Sequence, residues 1–223
     1  MGATTSFTAK QAAEAFEYMA MAGWKTEDML SGIEGILHLA AASGESLAST
    51  SDIVTDALTA FGLSASDSAR FADVLAVASS NANTNVSMMG ETFKYVAPVA
   101  GALGYSIEDT AVAVGLMANA GIKSTQAGSA LRSVLTNLAK PSKEVAAYME
   151  KLGVSLTDNK GKMRSLSSLL LMLRERFSGL AEAERAEYAA GRAGKEAMGG
   201  RLAIVEASEQ DVRALTEALS DST

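Results

Sequence analysis

The side chains able to do chemistry are few in this 223-residue sequence, and they are scattered. His38 is the one histidine, set in Ile36-Leu37-His38-Leu39-Ala40. As a general base it would need a nucleophile or carboxylate in reach, and as a zinc ligand it would need further ligands. The sequence brings neither near it, so His38 reads as a structural or solvent-facing residue. Gly191-Arg192-Ala193-Gly194-Lys195-Glu196 has the outline of a phosphate loop, but that pattern requires Gly at 189, which is Ala, and Ser or Thr at 196, which is Glu. Glu182, Glu184 and Glu187 could be an acid/base set. Nothing nearby would raise one pKa and leave another, so they read as one charged helix face. Asn85-Val86-Ser87 matches a glycosylation sequon, which matters only on a secretory route. Met19, Met21, Met29, Met88 and Met89 read as core filler before they read as a sticky face. With no cysteine there is no disulfide, thiolate zinc site or thiol nucleophile. The expected site inventory is therefore catalytic none, cofactor-binding none, metal none.

The elements that would have to position any such site are helices. Almost half the residues are apolar, but they are mainly Ala, Leu, Val and Met, with 5% aromatics and two prolines. Ala, Leu and Met lose little side-chain freedom in a helix. Phe71, Val74, Leu75 and Ala78 fall at i, i+3, i+4 and i+7. Ala127, Leu131, Val134 and Leu138 form a second stripe, Leu166, Leu169, Leu170, Leu173 and Phe177 a third, and Ile53, Val54, Ala57, Leu58 and Phe61 a fourth. Strand-like alternation is absent. The expectation is an all-α fold of about ten short helices in a multi-helix bundle or irregular helical array, with no significant sheet. They fall near 8–22, 26–43, 47–61, 65–82, 86–103, 107–120, 124–139, 142–152 and 165–178, with one or two more across 181–220. Pro141 is expected to start a helix and Pro98 to kink one.

One junction recurs four times: Gly, a bulky apolar residue, a polar residue, two more, then Asp. It begins at Gly23, Gly62, Gly104 and Gly153 and ends at Asp28, Asp67, Asp109 and Asp158. Gly closes the preceding helix in the left-handed conformation. Ser caps the next helix, and the carboxylate three residues later supports that cap and the helix dipole. Lys25 stands where Ser is expected, so Thr26 is the anticipated cap there. After Gly153, Asn159-Lys160-Gly161-Lys162 predicts a tight turn and a helix start near Ser165. Spacings of 39, 42 and 49 residues suggest a two-helix unit. Simple reuse of Gly–Ser–Asp chemistry explains them too, and the drift in spacing favours that explanation.

Charge divides the chain. Residues 1–139 carry 6 Lys/Arg against 13 Asp/Glu, whereas residues 140–223 carry 13 of each. The acidic part argues against direct nucleic-acid binding. The organisation expected is a flexible or vector-derived start at 1–6, an acidic helical core at 7–153 and a charge-balanced helical region at 154–223. The N-terminus lacks the basic and apolar regions of a signal peptide. The apolar stretches 95–107 and 110–122 are each too short to span a bilayer.

Several stretches resemble, in order and spacing, the conserved core of tail tape-measure proteins of long-tailed bacteriophages and prophages. They are Ala22-Gly23-Trp24 with Leu39-Ala40-Ala41-Ala42-Ser43-Gly44; the run from Asp52 to Leu63; Met117-Ala118-Asn119-Ala120-Gly121-Ile122; Gln126-Ala127-Gly128-Ser129-Ala130-Leu131-Arg132; and Leu152-Gly153-Val154 with Asp158-Asn159-Lys160-Gly161-Lys162. The series covers residues 7–210. The resemblance implies a virion structural protein in the lumen of the tail, present in the host cytoplasm during assembly. It implies roles in tail-length determination, assembly and DNA ejection, without catalysis or cofactors. Implied partners are tail-tube and tail-tip proteins, assembly chaperones and further copies of itself, and the resemblance leaves room for membrane contact during ejection. The competing reading is a non-phage helical adaptor or pore-forming domain, which the same amphipathic stripes would serve. Closely spaced helix stops predict a compact anchor built of antiparallel neighbours, not a rod.

Overall fold

In the computed structural model the described residues are 7–161, 163–181 and 209–220, and they form ten α-helices and one 3-10 turn. In chain order these are α1 (Ala9–Met21), α2 (Thr26–Ser43), α3 (Leu47–Phe61), the 3-10 turn (Ala65–Asp67), α4 (Ser68–Asn81), α5 (Val86–Ala102), α6 (Ile107–Asn119), α7 (Ser124–Ala139), α8 (Lys143–Leu152), α9 (Leu166–Ser178) and α10 (Glu209–Ser220). Among these residues the only β pairing is an isolated bridge between Thr157 and Met163, across the turn expected at Asn159–Lys162. The all-α expectation holds. Glu182, Glu184, Glu187, Gly191–Glu196, the start at 1–6 and the expected helices before Glu209 lie outside the described residues.

The helix ends follow the sequence chemistry closely. At Gly23, Gly62, Gly104 and Gly153 the backbone is left-handed, and the next N–H reaches back to close the helix. Trp24 donates to Met19 O, Leu63 to Leu58 O, Tyr105 to Ala100 O and Val154 to Met149 O, all within 3.0 Å. A fifth copy, Gly121 with Ile122 donating to Met117 O, escapes the sequence pattern because Gln126 stands where Asp does elsewhere. Starts are more varied. Ser106 caps α6 by accepting from the Asp109 N–H at 3.1 Å, while the Asp109 carboxylate turns away to accept from Ser167 on α9. At Ser64 the carboxylate does reach back, since Asp67 accepts from both the Ser64 N–H and hydroxyl. The resulting 3-10 turn splits the helix expected over 65–82. At α2 the cap position is Lys25 and not Thr26: Asp28 accepts from the Lys25 N–H at 3.0 Å, so the carboxylate satisfies the helix end without a cap side chain. Pro141 lies two residues before α8 and not at its first position. Pro98 sits on the exposed face of α5, which continues through it.

The main correction concerns which helices are neighbours. From α1 to α7 the main contacts join a helix to the next but one: α1 on α3, α3 on α5 and α5 on α7, with α2 on α4 and α4 on α6. The chain thus builds two layers, odd-numbered and even-numbered, advancing by one helix pair at a time. This advance by helix pairs has the period of the two-helix unit suggested by the junction spacing. Facing residues advance together: Gly32 lies against Trp24 and Ala65, Gly35 against Ala69, Gly90 against Ile53 and Gly101 against Phe61. The closest pairs therefore run parallel, not antiparallel as expected. Helical glycines make these crossings close. A Cβ on Gly35 would fall 2.5 Å from Ala69 N, and one on Gly128 would fall 2.7 Å from Thr92 O. Glycine costs a helix about 1 kcal/mol relative to Ala, but it lets backbones come into direct contact.

Between the layers the predicted stripes are buried. Phe71, Val74, Leu75 and Ala78 of α4 are fully enclosed, as are Ile53, Val54, Ala57 and Leu58 of α3. Phe93 of α5 meets the Phe71 ring edge-on at 5.4 Å and the Phe61 ring at 6.1 Å, so three successive helices share one aromatic contact. α9 and α10 pack on α6, outside the two-layer scheme.

Candidate interaction surface

The residues singled out for chemistry are spread over the array. His38 is exposed on α2. Asn85, the sequon residue, caps α5 by accepting from the Met88 N–H at 2.8 Å. The methionines divide: Met19 and Met89 are fully buried, but Met21 is 77% and Met88 38% exposed, so these two are surface residues and not core filler. Among the described residues no group of three or more His, Asp or Glu is placed to hold a metal.

The charged contacts tie helices within a layer. Arg70 of α4 meets Glu108 of α6 at 2.7 Å, and Lys94 of α5 meets Asp52 of α3 at 2.7 Å with Glu91 at 3.5 Å. The hydrogen bond to Asp52 holds the Lys94 ammonium above its ordinary pKa. Partial burial, then the nearby Asp52 carboxylate, pushes Asp56 up. Burial also raises Tyr105, helped by Asp109. These are consequences of packing carboxylates beside one lysine, and no nucleophile adjoins them. Two loops are tied similarly: Asn119 accepts from the Asn83 N–H, and Lys123 donates to the Asn83 side chain at 2.9 Å. Within the odd layer the Thr92 hydroxyl lies on both Met88 O and Ser124 O, holding Ser124 at a positive φ of 56°.

Shallow hollows open on the surface among the described residues. One lies between α5 and α7, lined by Tyr95, Ser129, Arg132 and Asn137. Another lies between α9 and α10, floored by Leu171 and rimmed by Ser165, Ser168, Arg213 and Glu217. Neither combines a base, a nucleophile and an oxyanion donor. What the sequence reading missed is the row of helical glycines, which are assembly residues inside the fold. Their signal was present: glycine at 32, 35, 90, 101, 115 and 128 falls within helical stripes, where a helix stop is excluded.

An array of this kind, helices in two layers packed closely on glycine, defines an all-α helical-array protein. Residues 1–193 match the family of phage-related minor tail proteins, and the chain belongs to that family as a structural tail protein. It is 40% identical over its whole length to the tape measure protein of Pneumococcus phage Dp-1, covering 19% of that protein. It is 29% identical over 93% of its length to the probable tape measure protein of Escherichia phage P2, covering 26% of it. The chain thus spans about a fifth to a quarter of these relatives. No solved structure matches it.

Proposed function

We propose that this chain is the compact core of a tail tape-measure protein, acting in tail-length determination, tail assembly and DNA ejection. In this reading it has no catalytic residue, cofactor or metal. It resides in the tail lumen and, during assembly, in the host cytoplasm. Its partners are tail-tube and tail-tip proteins, assembly chaperones and further copies of itself, and the acidic first part keeps it from binding nucleic acid directly. It divides into an acidic helical core at 7–153 and a charge-balanced helical region at 154–223, a reading that rests on the charges in the sequence.

The observation that carries the reading is that the whole chain aligns with one stretch of relatives named tape measure protein, and that this stretch folds as a layered stack. As a single helix the chain would reach about 330 Å at 1.5 Å per residue. A compact domain of this length has a radius of gyration of roughly 17 Å. The competing membrane-active reading is weakened by the same packing. The apolar stripes face neighbouring helices, and among the described residues no helix is long and apolar enough to cross a membrane.

Duplicating this region in the phage that encodes it, and measuring tails by electron microscopy, tests the proposal. A compact anchor leaves tail length nearly unchanged, and its deletion stops assembly. Tails longer by hundreds of ångströms would show that the region is itself rod, and normal infectious tails after deletion would remove the tape-measure reading. Turnover of peptidoglycan by the purified chain, abolished by a single carboxylate substitution, would overturn the absence of catalysis.

A further inference from the structure

The outermost helices of the odd layer, α1 and α7, present unlike surfaces. α1 buries Ala15 and Met19 in its packing on α3, while Glu14, Glu17, Tyr18 and Met21, spaced i, i+3, i+4 and i+7, form an exposed stripe on its other side. Two large apolar side chains thus stand in water beside two carboxylates. Lys10 reaches Glu14 only at 3.8 Å with both side chains solvated, a contact of little energy. At the far end of the layer, Ser129, Arg132, Ser133 and Thr136 of α7 take the same spacing. Gly128 lets α7 close on α5, since a Cβ there would fall 2.7 Å from Thr92 O and from the Tyr95 Cβ, and one turn later Arg132 lines the same hollow as Tyr95. That shallow hollow, of about 460 Å³, is lined by a guanidinium, Ser and Thr hydroxyls, the Asn137 amide and the Tyr95 side chain, with no carboxylate among them. Among the described residues no acid pairs with Arg132, whereas Arg70 and Lys94 are each held by carboxylates. Tyr95 is 40% exposed, and Met88, two turns before it on the same side of α5, is exposed as well.

We propose that α1 of a second copy docks across the α5–α7 face, with its Glu17 carboxylate received by Arg132 and its Tyr18 and Met21 covering Tyr95 and Met88. The proposal names the surfaces for the self-association proposed above and rests on that reading. Charge selects the occupant first. Residues 1–139 carry 13 acids against 6 bases, so most of one copy's surface repels most of another's, and Arg132 is a cation with an open place for an acid. Its planar fork matches a carboxylate through two hydrogen bonds, and the flanking hydroxyls can donate to the same group. Apolar surface selects it next. Of the six large hydrophobic side chains exposed among the described residues, Tyr18, Met21, Met88 and Tyr95 lie on these two faces, and one contact takes all four from water. Both partners are helices already formed, so docking orders no segment. A polyanion would bring many charges against the acidic remainder of the surface, whereas a single carboxylate flanked by apolar residues does not. Because the two patches differ and sit at opposite ends of the odd layer, the contact is heterologous and copies follow one another head to tail.

Sedimentation velocity on the whole chain, from micromolar to near-millimolar concentration, tests this contact. The average mass of the wild-type chain should rise with concentration. Arg132→Glu and Glu17→Arg, both at exposed positions and each checked by helical circular dichroism, should each weaken association by about tenfold or more. Mixing the two variants should recover it, because an unaltered Glu17 then meets an unaltered Arg132, and so should placing both changes in one chain. Should Arg132→Glu fail to fold, Arg132→Gln removes the charge with less disturbance and should weaken association in the same direction. A wild-type chain that stays monomeric throughout would overturn both this contact and the self-association on which it rests. Association unchanged in the folded single variants, or no recovery on swapping the charges, would overturn this contact alone and leave the wider reading standing.

Discussion

Replacing Gly35 by alanine sets two opposed effects against each other at one point of the α2–α4 crossing. Alanine favours the helical state over glycine by about 0.8–1.0 kcal/mol, so at an isolated helix position the change would stabilise. Here the new Cβ would lie 2.5 Å from Ala69 N, 2.6 Å from Ala69 Cα and 2.6 Å from Ser68 C. All three are backbone atoms of α4, and no side chain can rotate out of the way. Forcing a methyl group into a packed contact costs typically about 1–3 kcal/mol, and a backbone obstruction belongs at the upper end of that range. Separation of the helices also strains the bond from the Ser68 hydroxyl to Gly32 O, 2.9 Å long and buried, which contributes about 1 kcal/mol. The net expectation is a loss of about 2–3 kcal/mol, or roughly 4–12 °C in Tm for a chain of this size. Thermal and urea melts would measure it, with Ser31→Ala, an exposed position on the same helix, as a control expected within about 0.5 kcal/mol of wild type. A Tm for Gly35→Ala equal to or above that of the control would refute a backbone-to-backbone crossing at this point.

Three further outcomes follow from named contacts. Ser106→Ala removes the cap of α6 and should cost about 1 kcal/mol in a urea melt; an unchanged midpoint would mean that the hydroxyl is not satisfying the Asp109 N–H. Phe93→Ala removes the ring shared with Phe61 and Phe71 and should cost about 3–5 kcal/mol, read as a large fall in the denaturation midpoint. Asp56 has its pKa raised in the fold, so ionisation opposes folding: its contribution is most favourable at pH below the ordinary value of 3.8 and is lost as pH rises through the folded pKa. Asp56→Asn should therefore match wild type in strong acid and equal or exceed its stability at neutral pH. A variant less stable at pH 7 would reverse the sign of that argument.

Much of the fold was legible because helix formation and helix ending are local. Stripes such as Phe71–Ala78 and left-handed stops such as Gly104 depend on residues within a turn or two, and the described helices begin and end where those signals lie. Local chemistry also reads His38 as a structural or solvent-facing residue, and the structure places it on the exposed face of α2. What local chemistry does not carry is the choice of neighbour. A stripe says that a face must be covered, not by which helix; antiparallel hairpin partners and next-but-one partners satisfy Leu58 or Val74 equally well. Four helical glycines, Gly32, Gly35, Gly101 and Gly128, stand where the chosen neighbours bring backbone into direct contact, and they act only when that second element is present. The same holds for Asp109, which a sequence reading assigns to its own helix cap and which the tertiary structure turns toward Ser167, and for α6, whose unbroken apolar run required a cover that arrived from α10, roughly ninety residues along the chain. Propensity, periodicity and capping were therefore decided by the sequence alone, since their energies are summed over a few consecutive residues. Layer order, parallel pairing and the third-layer cover were decided by tertiary structure, since their energies exist only between surfaces that the chain has already brought together.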